Sequence, residues 1–137
     1  MRLIREPKVT CAAVIERKGK ILFIKRKIRP YKNSWCLPGG HVEWKEKAED
    51  TVKREIKEEL GLDFKPRFLK YYDEILPKLK YHRICLVFTG NAAGEPRADE
   101  KEAREFKWFS LKEIRKLNLV SLYRRVFEDY YKLNKFN

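Results

Sequence analysis

Residues 37–62 read LPGGHVEWKEKAEDTVKREIKEELGL. Pro38-Gly39-Gly40 interrupts any regular element. The run that follows, from Glu46 to Leu60, carries a helical period, and Gly61 is its C-terminal stop. At about 100° per residue, a spacing of four puts Ala48, Val52, Ile56 and Leu60 on one apolar, core-facing arc. Glu46, Asp50, Lys53 and Lys57 fall on the opposite, solvated side. Glu55, Glu58 and Glu59 form one cluster on the shoulder of the apolar arc. Glu59 lies between Ala48 and Val52 in angle, so its carboxylate is expected to point into the edge of the core.

This clustering works against the helix. Glu55 repels Glu58 at i+3 and Glu59 at i+4, at about 0.2–0.5 kcal/mol per pair. All three carboxylates also sit near the helix C-terminus, where the macrodipole disfavours negative charge. A segment that breaks local rules in this way is a candidate functional site. A divalent cation would remove the repulsion, and a set of carboxylate oxygens suits Mg²⁺ or Mn²⁺. The competing explanation is that the glutamates pair with Lys and Arg on a solvated face.

Working outward, Val9 to Ile15 reads as a buried strand, and Ile21 to Ile24 as a second. The Lys18-Gly19 turn between them makes a hairpin. Residues 28–34 read as a loop and Trp35 to Leu37 as a short apolar strand. Beyond the helix, Phe68 to Tyr72, Arg83 to Thr89 and Phe106 to Phe109 have strand composition, and Asn91 to Pro96 reads as a turn. Ser110 and Ser121 are each placed to cap a helix, over Leu111 to Leu117 and up to about Leu133 respectively. Leu122, Val126 and Tyr130 give the last helix a core-facing stripe. Interleaved strands and helices predict an α/β protein with a mixed sheet covered by helices. The 137 residues are one domain's worth, so residues 1–137 are expected to form a single domain.

Composition narrows the function classes. Apolar residues make up 43%, a normal globular share that argues against disorder. The formal net charge is +13, compatible with nucleic acid, an anionic membrane or a small polyanion as partner. Lys and Arg often stand beside Glu and Asp, which equally describes an ordinary solvated surface. Cys11, Cys36 and Cys85 have no metal-ligand spacing, so buried free thiols are expected. The N-terminus lacks the apolar core of a signal peptide, and no apolar run reaches 18 residues. A soluble cytoplasmic protein is the expectation.

Gly40, then Glu46, then Arg54-Glu55-Ile56-Lys57-Glu58-Glu59-Leu60-Gly61-Leu62 resembles the Nudix box of the Nudix hydrolase family, which includes MutT-like and ADP-ribose pyrophosphatase-like enzymes. Each defining position is filled, and the preceding Leu37-Pro38-Gly39 is similar to the family as well. The flanks match more loosely over nearly the whole chain. The resemblance implies an α/β/α sandwich with a mixed central sheet. It implies hydrolysis of a nucleoside diphosphate linked to another group, with Mg²⁺ (or Mn²⁺) as cofactor.

Carried over by position, the resemblance makes Glu55, Glu58 and Glu59 metal ligands, with the Gly39 carbonyl as a further one. Arg54 would orient a neighbouring glutamate by a bidentate contact, and Glu46 is more often structural than catalytic. Many relatives add a loop carboxylate late in the chain. Of Asp99, Glu100, Glu102 and Glu105, Glu102 is the first choice and Glu100 the second. The general base is a box glutamate or this loop glutamate.

Lys25, Arg26 and Arg29 could meet phosphates. Tyr31, Trp35, Trp44, Tyr72 and Tyr81 could stack on a base or simply pack. His41 and His82 receive no role. The substrate is expected to be a nucleotide-derived small molecule, either a (deoxy)nucleoside triphosphate or ADP-ribose, and Pro77 stands where some ADP-ribose hydrolases of the family carry a proline. An RNA-binding or decapping protein is the alternative, without an RNA-binding module or basic tail to support it. No membrane partner is expected, and a homodimer is an open option.

Overall fold

The computed structural model describes residues 5–27, 32–98, 105–117, 119 and 121–134. Strand β1 (Lys8–Arg17) is buried from Thr10 to Ile15 on both faces, which suits a central strand of β-branched and small residues. Lys18 and Gly19 turn the chain with φ of 53° and 76°. Strand β2 (Lys20–Lys25) then returns antiparallel to β1, completing the anticipated hairpin. After β3 (Trp35–Cys36) and β4 (Gly39–His41), helix α1 (Ala48–Leu60) ends on Gly61, which takes the left-handed conformation at φ 70°. Strands β5 (Asp63–Phe64) and β6 (Arg67–Leu76) follow. A 3-10 turn at Pro77–Leu79 leads into β7 (Tyr81–Gly90), and then β8 (Ala92–Ala93), β9 (Phe106–Ser110), α2 (Leu111–Lys116) and α3 (Ser121–Asn134).

The main sheet runs β3-β2-β1-β7-β6, with β4 added on β1 and β9 on β2. It is mixed, because β1 and β7 are parallel while the other pairings are antiparallel. β7 occupies one side of β1 from Lys8 to Ile15. The other side is shared: Thr10–Ala12 pair with β4, whereas only Glu16 and Arg17 pair with β2. The sheet therefore forks between β2 and β4, and the fork is where the cleft described below opens.

The two long helices cover opposite faces. Cys11 on β1 reaches the Ala48 carbonyl of α1 through its thiol. Tyr72, in register with Cys85 and through it with Thr10, belongs to the alternate face and donates its hydroxyl to Asp129 of α3. Leu122, Val126 and Tyr130 are buried as the stripe predicts. Phe127 of the same helix stacks on Phe23 with ring centroids 5.7 Å apart. This is the expected α/β sandwich, and its three cysteines are buried and not joined in disulfides.

Four local features differ from the sequence reading. Gly39–His41, expected only as a break, forms a strand on β1. Its closeness depends on glycine, since a Cβ at Gly39 would stand 1.9 Å from the Cys11 carbonyl oxygen. Ala92–Ala93, inside the predicted turn, pairs with Asp63–Phe64 as a small separate sheet. Helix α1 begins at Ala48 rather than Glu46. Ser121 is already helical rather than the cap before α3, whereas Ser110 caps α2 through a full capping box with Glu113.

Candidate active site

Helix α1 presents its glutamates to the backbone of β4. Val52, Ile56 and Leu60 anchor the helix in the core, and this fixes the rotation that puts Glu55, Glu58 and Glu59 on the β4 side. Glu59 is 6% exposed, as its wheel position implies, and its Oε2 accepts the Gly39 N–H at 3.3 Å. Glu55 lies directly over Gly40, where an added Cβ would sit 2.3 Å from the Glu55 carboxyl carbon. Glu58 is the open member, with its side chain 59% exposed. No side chain other than hydrogen at Gly40 leaves room for the Glu55 carboxylate.

Arg54 organises this group. Its bidentate partner is Glu46, with Nε 2.8 Å from Oε2 and Nη2 3.0 Å from Oε1. Its Nη1 makes single contacts to Glu55 Oε1 at 2.9 Å and Glu58 Oε2 at 3.3 Å. Glu46 also accepts the Thr51 hydroxyl at 2.6 Å. The Arg54 hydrogen bonds, then the Thr51 hydroxyl, hold the Glu46 carboxyl down at about 2. Glu46 is thus the residue that fixes Arg54, and Arg54 in turn positions two of the three shoulder carboxylates.

The donor set fits a hard divalent ion. It consists of carboxylate oxygens beside a backbone that has been cleared of side-chain atoms at Gly40. Among the described residues, no three His, Cys, Asp or Glu side chains converge as they would around an ion. The reason is visible in the hydrogen bonds: Arg54 draws Glu55 and Glu58 toward itself, and Gly39 N–H holds Glu59. An ion at this site would compete with those contacts.

These carboxylates line one end of a cleft of about 420 Å³. Gly39, Gly40, Glu43 and Arg54 complete that acidic end. Arg26, Lys27, Tyr81, Arg83 and Tyr123 of α3 also line it, and Arg83 stands at Lys8 of β1 whereas Gly40 stands at Cys11, so the arginine lies three residues along the strand from the glutamates' backbone seat. His41 lies between the two. Burial lowers its pKa, and the nearby Lys8, Arg83 and Arg26 charges lower it further. The cleft is therefore polarised, with carboxylates at one end and cations at the other.

The remaining sequence candidates divide by location. Arg26 lines the cleft. Lys25 instead meets Glu105 at 3.9 Å and lies over the Trp35 ring. Arg29, Tyr31, Asp99, Glu100 and Glu102 lie outside the described residues. Tyr72 is a core residue, bonded to Asp129 at 2.7 Å. Trp35 packs edge-on against Phe109, and Trp44 stands 87% exposed beside Lys45. Among the described aromatic candidates, only Tyr81 lines the cleft. Sequence reading missed Arg83 and Tyr123, which are 40 residues apart by number and far from the box. The sequence signal at Arg83 is its position as a charged residue heading a strongly apolar strand.

The NUDIX domain family profile matches residues 5–130 of the chain. Over 130 residues the chain is 37% identical to the ADP-ribose pyrophosphatase of Methanocaldococcus jannaschii, covering 94% of this chain and 76% of that protein. It is 29% identical over 121 residues to the 8-oxo-dGTP diphosphatase of Buchnera aphidicola subsp. Schizaphis graminum, covering 88% and 90%. The crystal structure of a MutT protein from Methanosarcina mazei Go1 superposes with a TM-score of 0.84 at 28% identity, over 97% of this chain and 99% of that one.

Proposed function

The chain belongs to the Nudix family and is a Nudix hydrolase, and from that premise we propose that it is a Mg²⁺- or Mn²⁺-dependent pyrophosphohydrolase of ADP-ribose or a (deoxy)nucleoside triphosphate. The observation that carries this reading is the seating of the Glu55 carboxylate over Gly40, bonded to the Arg54 guanidinium, with Glu59 on the neighbouring Gly39 N–H. Glu55, Glu58 and Glu59, with the Gly39 carbonyl, would hold the ion. What a divalent ion supplies in such a site is neutralisation of phosphate charge and a more acidic bound water.

The chain's own residues do the rest. Phosphoryl transfer needs placement and charge neutralisation more than covalent help. Arg54 keeps Glu55 and Glu58 at the acidic end, while Arg26 at the opposite end offers a cation to the substrate phosphates. A box glutamate or Glu102 takes the proton of the attacking water. ADP-ribose is supported by the higher identity to the relative of that name and by Pro77, which opens the 3-10 turn leading into β7. A triphosphate is supported by the second relative. The reading places the enzyme in the cytoplasm, and among the described residues no helix is long and apolar enough to cross a membrane.

The test is hydrolysis of ADP-ribose, dGTP, 8-oxo-dGTP and capped RNA with Mg²⁺, with EDTA and the variants Glu58→Gln and Glu59→Gln as controls. The expected result is metal-dependent release of AMP and ribose phosphate, or of a nucleoside monophosphate and pyrophosphate. Each variant should lose about 10² to 10⁴ in kcat. Near-wild-type rates in both variants would overturn the site assignment. Cleavage confined to capped RNA would replace the small-molecule reading with the decapping one.

A further inference from the structure

The end of the cleft remote from the box contains a buried ion pair that the chemistry at the glutamates does not use. Arg83 on β7 is 8% exposed, and its partner Glu74 on β6 is 4% exposed. Arg83 Nε donates to Glu74 Oε1 at 2.9 Å, and its guanidinium carbon lies 6.0 Å from the Tyr123 ring centre. Among the described residues, Glu74 Oε2 is buried with no hydrogen-bond partner. A buried pair of this kind contributes little net stability compared with apolar residues of similar volume. An explanation for its presence therefore has to come from orientation rather than from stability.

Arg83 lines the cleft, whereas Glu74 stands behind it. A guanidinium carries five N–H donors in a fixed plane, and the bond to Glu74 uses the one on Nε. The terminal nitrogens carry four more donors, in the fork geometry that grips two adjacent acceptors, and the Tyr123 side chain is hydrogen-bonded to the same guanidinium. The charge of this fork is already balanced by Glu74. It is therefore suited to uncharged acceptors rather than to the phosphates. Tyr81 and Tyr123 flank Arg83 with aromatic surface, as a group of modest polarity requires.

We propose that Arg83, held in orientation by Glu74, is the specificity-determining residue that grips a pair of adjacent uncharged acceptor atoms on the substrate, remote from the bond that is cut. Two sources have this chemistry. One is the O6/N7 edge of a guanine base. The other is the diol of a terminal ribose. This inference rests on the functional reading above and adds to it which end of the cleft reads the substrate.

The experiment measures kcat and KM separately for dGTP, dATP and ADP-ribose with wild type, Arg83→Gln, Glu74→Gln and the double variant Glu74→Leu/Arg83→Met. The double variant removes both charges together and so is expected to fold even where a single change leaves a buried charge unpaired. Arg83→Gln and the double variant should raise KM by about 10- to 100-fold on the recognised substrate, with kcat changed much less. Glu74→Gln should raise KM in the same direction by a smaller factor, because it leaves Arg83 present but less fixed.

A KM rise on dGTP that spares dATP assigns the base edge. A rise on ADP-ribose that spares dGTP assigns the ribose diol. Unchanged KM in a folded double variant on every substrate the wild type cleaves overturns the inference alone. So does a fall in kcat of equal size on all substrates. Failure of the wild type on all three substrates would overturn the functional reading as well, which separates the two failures.

Discussion

A methyl group at Gly40 and a methyl group at Gly39 would have opposite consequences, although the residues are neighbours. At Gly40 the added carbon meets the end of the flexible Glu55 side chain, which can swing away. At Gly39 it meets the Cys11 backbone oxygen at 1.9 Å, which cannot move without parting β4 from β1. Gly40→Ala should therefore keep a melting temperature close to wild type while displacing Glu55. The Mg²⁺ concentration needed for half-maximal activity should rise by about 10- to 100-fold, the range for disturbing what orients a ligand. Gly39→Ala should lower the melting temperature itself. A metal titration of activity beside thermal melts distinguishes the two, and an unchanged Mg²⁺ requirement in Gly40→Ala would sink the role given to Glu55. At this scale the helical period foretold that Glu59 would be buried at the core edge. It did not foretell that Arg54 would take Glu46 as its bidentate partner, because Glu46 lies before the helix and its side chain position depends on the turn at residues 43–46.

Elements were legible where a local signal was complete. Ser110 and Glu113 form a reciprocal cap, with Glu113 N–H to Ser110 Oγ at 3.2 Å and Ser110 N–H to Glu113 Oε1 at 3.1 Å. Ser110 ends β9 and starts α2, so the cap fixes the corner between them. Ser110→Ala should cost about 1 kcal/mol of stability, measured by urea unfolding, with activity retained at saturating substrate. No change in the unfolding midpoint would show that the corner is held by Ile114 and Phe109 in the core instead. Strands β4, β5 and β8 were not legible, since two or three residues carry no period. Their pairing comes from what lies beside them. Gly39–His41 is extended because β1 offers an open edge there, and Ala92–Ala93 because Asp63–Phe64 is brought within reach after α1.

Across the whole molecule, β6 is tied to α3 by polar contacts at the sheet margin. Asp129 accepts the Tyr72 hydroxyl at 2.7 Å and the Lys70 ammonium at 3.3 Å, and Arg125 donates to the Asp73 carbonyl at 2.8 Å. The Tyr72 hydroxyl, and then Lys70, lower the Asp129 pKa below its ordinary value of 3.8. A carboxyl depressed on folding contributes stability above its unfolded pKa, and that contribution is lost as pH falls through the folded value. Asp129→Asn should therefore lower stability at pH 7 by about 1–2 kcal/mol, and the gap from wild type should close below about pH 4. Melts from pH 7 to pH 2 check this, and a gap that persists in acid would assign the effect to lost shape rather than charge. The sequence by itself determined the helix that carries the glutamates and the face on which they stand, because periodicity and spacing are properties of one continuous segment; the interleaved strands and helices indicated a mixed sheet covered by helices, and the sandwich was what the family resemblance implied. The cleft was decided only in the tertiary structure. Its cationic end joins Arg26 on the chain after β2, Tyr81 and Arg83 on β7 and Tyr123 on α3. Those segments meet because the sheet forks between β2 and β4 and α3 closes the face beneath, a juxtaposition that no local pattern encodes.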